Sequence, residues 1–237
     1  MSEVQFRSGD AEVPAYVAEP SGQGPWPGVV VLHDVFGMTD DVRHQADWLA
    51  SAGFLALAPD LCSRSNKAAC IWSVFKDLRA QHGHTFDDAD AARGWLEADP
   101  RCTGKIGVVG FCMTGGFALL LAHGHGFAVS SDNYGTLPAN LDEVVDGACP
   151  VVASYGGRDR SLRGAATRLE HALEKAGVPH DVKEYPDAGH GFMNRHANAL
   201  WRVMERTGTL GYAPAPAEDA RRRIVELFTE HLAGPGS

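Results

Sequence analysis

KIGVVGFCMTGG, residues 105–116, reads as a strand that turns through glycines into a helix. Ile106, Val108 and Val109 are β-branched residues of the kind that suit a buried strand, and FALLLA, residues 117–122, suits a buried helix. A single cysteine, Cys112, stands at the turn between them. A side chain that projects from so tight a turn needs small neighbours, so that the backbone can pass. The N–H groups and positive dipole end of a helix beginning at Cys112 favour a thiolate and an oxyanion. This is the layout of a nucleophile elbow, G-x-nucleophile-x-G. It departs from that pattern at Thr114, which stands where the second glycine belongs, with Gly115 and Gly116 just after it. The turn alone leaves two readings open: a nucleophilic Cys112, or a buried cysteine in the glycine-rich strand–helix turn of any α/β protein.

Outward from the turn, strands alternate with helices. Residues 4–6 and 13–18 read as an opening hairpin around Ser8-Gly9-Asp10, followed by a Gly/Pro-rich connection over 20–27. GVVVLH at 28–33 is a buried strand, and 40–52 a helix with Val42, Ala46, Leu49 and Ala50 inward and Gly53 as its stop. A strand over 54–58 follows. Residues 61–83 are the least regular part and are read as a loop that wanders over the site. Helices are expected over 85–98, 161–176 and 216–232, and further strands over 127–131, 150–155 and 180–185. Strands and helices joined by short turns predict an α/β fold, a mostly parallel central sheet with helices on both faces. With no internal repeat or low-complexity segment, residues 1–237 read as one domain. Ligands in such folds sit beyond the carboxyl ends of the strands.

The net charge of −9 argues against nucleic acid and anionic membrane surfaces as partners, since both call for basic patches. The N-terminus MSEVQFRSGD lacks a basic region followed by an apolar run, and no stretch approaches the roughly 20 apolar residues of a membrane span. A cytoplasmic protein, monomeric or a small homo-oligomer, is expected. Its five cysteines are odd in number and lack C-x-x-C spacing, so free thiols are the expected state, with a Cys62–Cys70 disulfide as the alternative.

Two other strand ends carry polar residues in glycine turns. Asp159 follows the strand at 150–155, where it can cap the helix after it or serve a site. His190, between Gly189 and Gly191, is poorly placed for a core histidine. Cys112, Asp159 and His190 thus fall in the nucleophile–acid–base order, each at its own strand-to-loop junction. The paired imidazoles His82/His84 and His123/His125 have no cysteine or acid cluster to complete a ligand set, so neither a metal nor another cofactor is expected. His33 reads as a core or loop residue beside the site. Arg221, Arg222 and Arg223 read as a solvated outer helix face.

LHDVFG, GFCMTGG, YGGRD and AGHGF resemble the motifs of the dienelactone hydrolase family, cysteine-nucleophile members of the α/β-hydrolase fold. The resemblance covers residues 4–232. It implies an enzyme that cleaves small carboxylic esters or lactones, with Cys112 as nucleophile, His190 as general base and acid, and Asp159 orienting His190. It further implies an oxyanion hole from the backbone N–H groups of Val35 and Met113. Family members carry an acid, usually Glu, after the second strand, where it helps control the protonation of the thiol; here that residue is Asp34. The well-studied members hold a substrate carboxylate with two arginines, one shortly after the catalytic His. Here Asn194 takes that place and Arg195 is displaced by one position, while Arg64 or Arg79 could supply the other. Small esters or lactones other than dienelactone are therefore the expected substrates. Phe36, Trp72, Tyr134, Phe192 and Arg195 are candidate pocket residues, and Phe75 a further one, with core packing the competing reading for Trp72, Phe75 and Tyr134. Residues 194–215, with Trp201, Met204, Leu210 and Tyr212, can cover the pocket or pack on the sheet edge. Competing with hydrolysis are a small-molecule binding protein that lost turnover and a thiol-redox role for Cys112.

Overall fold

The computed structural model describes residues 2–196 and 209–232. The strands are β1 (Ser2–Ser8), β2 (Ala11–Ala18), β3 (Trp26–Leu32), β4 (Leu55–Pro59), β5 (Cys102–Phe111), β6 (Val129–Asn133), β7 (Val151–Gly156) and β8 (His180–Tyr185). The helices are α1 (Asp40–Ser51), α2 (Lys67–Ala80), α3 (His84–Ala98), α4 (Gly115–Leu121), α5 (Leu141–Val145), α6 (Ala165–Ala176) and α7 (Pro214–Leu232). All eight strands form one sheet in the order β1-β2-β4-β3-β5-β6-β7-β8. β1 and β2 pair antiparallel, β2 joins β4 antiparallel, and every pairing from β4 through β8 is parallel.

The apolar runs of the central strands follow from burial on both faces. Along β3, Val30 and Leu32 enter a core shared with α3, α4, α5 and α6. Val29 and Val31 point to the other side and pack with Val42, Ala46 and Leu49 of α1 and Ile224 and Phe228 of α7. In β5, Val108 and Val109 divide between the same two cores. At roughly 1.5–3 kcal/mol per buried aliphatic side chain, this double coverage anchors the strand ends that carry the site.

Four expectations need correction. Residues 61–83 contain a 14-residue helix, α2, capped by Asn66, whose side chain accepts the Ala69 N–H at 3.0 Å, and closed by Gln81 at φ +58°. Only Cys70, Val74 and Asp77 of α2 are buried, while Trp72 is 69% and Phe75 46% exposed. Aromatics on the wet face erase the apolar stripe by which a helix is recognised. The helix expected over 161–176 is split: Arg160–Leu162 form a 3₁₀ turn, and Gly164 at φ +72° separates it from α6. Cys62 and Cys70 form a disulfide that ties the loop after β4 to α2, leaving Cys102, Cys112 and Cys149 as free thiols. Arg223 is buried rather than solvated. Its Nε donates to Asp181 Oδ2 at 2.7 Å, and its Nη1 to Ser154 Oγ at 3.1 Å and to the Tyr185 hydroxyl at 3.2 Å. It locks α7 onto β7 and β8.

Candidate active site

β5 leads into Cys112, which holds φ +57°, a conformation that costs an L-residue about 1–3 kcal/mol and persists only where its surroundings impose it. Close packing imposes it here. A Cβ on Gly110 would lie 2.0 Å from the Thr114 carbonyl oxygen, so only glycine lets the turn fold back this tightly. Cys112–Thr114 form a 3₁₀ turn that runs into α4.

The Cys112 Sγ lies 3.0 Å from Nε2 of His190, and His190 Nδ1 lies 2.6 Å from Asp159 Oδ2. The loops bearing Asp159 and His190 are laced together, since Gly157 N donates to Tyr185 O at 2.8 Å and Arg158 N to Ala188 O at 2.9 Å. A Cβ on Gly156 would meet the Gly189 carbonyl oxygen at 2.5 Å, which accounts for the glycines there. Residues 209–211 clasp the other side of the histidine: His190 N donates to Thr209 O at 2.8 Å, and Gly211 N to His190 O at 3.0 Å. Asp159 also caps, as its Oδ1 accepts the Ser161 N–H at 2.9 Å. One carboxylate thus caps the turn after β7 with Oδ1 and meets His190 with Oδ2.

Burial opposes a charge on His190, but its hydrogen bonds with Asp159 and Cys112 outweigh that and push it up to about 10. Burial likewise opposes the charge on Asp159, and the hydrogen bonds from His190 and Ser161 prevail, holding its carboxyl below the usual range. Both interactions favour the doubly protonated ring, with Nε2 toward the sulfur and Nδ1 toward the carboxylate.

Asp34, Val35 and Phe36 lie in the turn after β3, closed by Gly37 N donating to Asp34 O at 3.1 Å. Both Asp34 carboxylate oxygens are engaged. Oδ1 accepts the Phe36 N–H at 2.8 Å, and Oδ2 lies 2.7 Å from His196 Nε2. The hydrogen-bond partner of the Cys112 thiol is His190, and the short side chain of Asp34 is spent on shaping its own loop and meeting His196. His33 is fully buried behind that loop. Its Nδ1 meets Asp34 O at 2.8 Å and its Nε2 accepts the Leu61 N–H at 3.1 Å, so the ring braces the turn from inside.

The pocket candidates separate. Tyr134, just past β6 at φ +47°, sets its ring against His190, with centroids 5.3 Å apart. Its hydroxyl donates to Asn194 Oδ1, and Asn194 Nδ2 donates to Asp41 Oδ2 at 2.6 Å. Phe192 is fully buried behind Tyr134, 5.4 Å between centroids. Phe36 packs on His196 at 4.4 Å, with Lys67 Nζ 5.2 Å from its ring. Arg195 turns its guanidinium onto the Tyr212 ring at 3.9 Å, and its backbone N donates to Asp41 Oδ1 at 2.6 Å. Trp72 is on the exposed face of α2 under Lys76, where neither the pocket nor the core reading puts it. Arg64 is committed to Asp88 and to Ser8 O, and Arg79 lines a separate cavity of about 290 Å³ with Leu78 and Leu137. Trp201 and Met204 of the expected cover lie outside the described residues.

The sequence did not single out His196, Asp41 or the partnership of Asn194. They lie in no motif and become neighbours only when the loops after β3 and β8 meet at the N-terminus of α1. Ligand atoms of Asp34, Asp41 and His196 lie within 4.8 Å of one another, as do those of His33, Asp60 and Cys62. In the first group Asp41 accepts hydrogen bonds at both oxygens and Asp34 accepts one while its other oxygen lies 2.7 Å from His196 Nε2, and in the second Cys62 is spent in the disulfide. Their donor chemistry is that of closed hydrogen-bond networks rather than of an open metal site.

A parallel sheet flanked by helices, with these groups at successive carboxyl strand ends, is an α/β-hydrolase fold. The model of the dienelactone hydrolase family matches residues 13–232, and the chain belongs to that family of hydrolases acting on small esters. It is 27% identical to a carboxymethylenebutenolidase of Pseudomonas putida over 90% of this chain and 89% of that one. Among solved structures it is similar to a dienelactone hydrolase-like promiscuous phosphotriesterase from metagenomic libraries (TM-score 0.79, 23% identity, 98% of each chain). It is also similar to a dienelactone hydrolase of Anabaena variabilis (TM-score 0.70, 20% identity, 98% and 97%). Among the described residues no helix is long and apolar enough to cross a membrane.

Proposed function

We propose that the chain hydrolyses small carboxylic esters or lactones through a Cys112–His190–Asp159 triad and a thioester acyl-enzyme. The observation that carries this reading is a cysteine at φ +57° whose sulfur lies 3.0 Å from an imidazole that is itself 2.6 Å from a buried carboxylate. Nucleophile, base and orienting acid in such contact form the arrangement that acyl transfer needs.

His190 takes the proton of Cys112 as the sulfur attacks the carbonyl carbon. The backbone N–H groups of Val35 and Met113 receive the oxyanion, one following the nucleophile and the other in the braced turn after β3. The C–O bond breaks as His190 gives its proton to the departing oxygen, which leaves as an alcohol or, for a lactone, stays tethered to the acyl group. His190, now neutral, takes a proton from water. The hydroxide so generated attacks the thioester, the C–S bond breaks, and His190 returns the water-derived proton to the sulfur as the acid is released. Asp159 keeps Nδ1 protonated and Nε2 aimed at the sulfur throughout. Asp34 supports the oxyanion by fixing the turn that carries Val35.

Phe36 and Tyr134 are assigned to the pocket, with Phe192 as backing, and Arg195 faces Tyr212. Among the described residues Arg64 is committed to Asp88 and Arg195 to Tyr212, which favours esters and lactones lacking a carboxylate as the preferred class. The Cys62–Cys70 disulfide weighs against a reducing cytoplasm, where such bonds are rare.

The test is Cys112→Ala. It should keep the fold, removing only a sulfur, and lose ester turnover to background. In the unchanged protein, acid quench should trap an acyl group on the Cys112 peptide. Turnover by the folded variant would refute the assignment.

A further inference from the structure

Thr114 is where this chain leaves the elbow pattern, and the structure gives the hydroxyl work that glycine cannot do. Thr114 is fully buried at φ −88°, so its backbone has no need of glycine. Its Oγ1 accepts the Phe111 N–H at 3.0 Å and donates to Leu32 O at 2.9 Å. Those two backbone groups belong to neighbouring parallel strands whose last registered pair is Leu32 with Gly110. There β5 bends away into the elbow and β3 into the turn that carries Val35. The hydroxyl stands between the parting strands and relays one hydrogen bond from Phe111 N–H to Leu32 carbonyl.

Phe111 immediately precedes the nucleophile, and Leu32 is three residues before Val35. We infer that Thr114 is a positioning residue, its hydroxyl setting the distance between Cys112 and the Val35 N–H that receives the oxyanion. This rests on the hydrolase reading above. The β3–β5 ladder sets the spacing as far as Leu32 and Gly110, and past that pair the Thr114 hydroxyl carries it. His190 and Asp159 hold the sulfur from the β7–β8 side, and His33 braces the Asp34 carbonyl from the β4 side. The Thr114 hydroxyl joins the two halves directly. An oxyanion donor moved off its mark loses much of its effect, because the stabilisation depends on donors already in place. The Cys112–His190 pair itself would be untouched.

The experiment compares Thr114→Val, which keeps the shape without the hydroxyl, with Thr114→Ser, which keeps the hydroxyl. Both are assayed on an aryl acetate alongside the unchanged protein. Thr114→Val should lose about 10- to 100-fold in kcat, with KM within about twofold, while Cys112 alkylation by iodoacetamide keeps its rate. Thr114→Ser should stay within about threefold in kcat. If Thr114→Val does not fold, Thr114→Ala removes the same hydroxyl without added bulk and carries the same expectation. Full kcat without the hydroxyl overturns the assignment, as does a Ser variant as slow as Val. So does a fall in alkylation matching that in kcat, which would mean that the elbow itself had collapsed. An unchanged protein with no turnover on any ester or lactone overturns the hydrolase reading instead, and this assignment with it.

Discussion

Asp159 holds two partners with one carboxylate: Oδ2 lies 2.6 Å from His190 Nδ1, and Oδ1 accepts the Ser161 N–H at 2.9 Å. The second bond fixes the first. Because Ser161 lies in the 3₁₀ turn, Arg160–Leu162, that Asp159 caps, the carboxylate cannot rotate away from the imidazole without uncapping that turn.

Asp159→Asn should therefore leave the loop in place while removing the charge that keeps Nδ1 protonated. The expected loss in kcat is about 10,000-fold, with KM little changed, measured by steady-state hydrolysis of an aryl ester. Loss confined to KM would contradict the orienting role.

The histidine also makes a pH signature. An ordinary histidine titrates near 6.5, and His190 is pushed up to about 10. Its raised value means that folding favours the imidazolium. That contribution to stability is complete below about pH 6.5 and is lost as pH rises through about 10. Urea unfolding of the protein and of His190→Gln, compared from pH 6 to pH 10, should converge toward the alkaline end. In NMR titration, the His190 ring protons should move near pH 10, and at lower pH in Asp159→Asn. A titration near 6.5 in the unchanged protein would contradict the charged pairing.

The Cys62–Cys70 disulfide closes a short loop between β4 and α2. Closing a loop of this length restricts the unfolded chain by about 2–3 kcal/mol. Cys62→Ser/Cys70→Ser should lower the urea midpoint accordingly, and a dithiol should lower that of the unchanged protein but not of the variant. A dithiol-insensitive midpoint in both would show that the bond contributes nothing.

Legibility tracked the local nature of each signal. The elbow was readable because one turn demands glycine, a reactive side chain and an apolar strand and helix within 18 residues, 105–122. Asp159 and His190 stood out because each sits in a glycine turn at a strand end, although for Asp159 the capping reading competed and the structure shows that cap as well. α2 was not, since its aromatics Trp72 and Phe75 face water and its inward face is thin. Arg223 was misread for the opposite reason: Arg221-Arg222-Arg223 looks like a wet face, and the partners that bury its middle-sheet side come from β7 and β8, over 35 residues away. His196 and Asp41 meet across more than 150 residues of chain, and local sequence carries no trace of such a meeting.

The covalent step is tested most directly by rapid-mixing hydrolysis of a small aryl ester, with and without iodoacetamide pretreatment. The triad predicts a burst of about one equivalent of phenol per chain, abolished by alkylation at Cys112. A full burst from protein alkylated at Cys112, or turnover that survives that alkylation, would contradict a thioester on this cysteine.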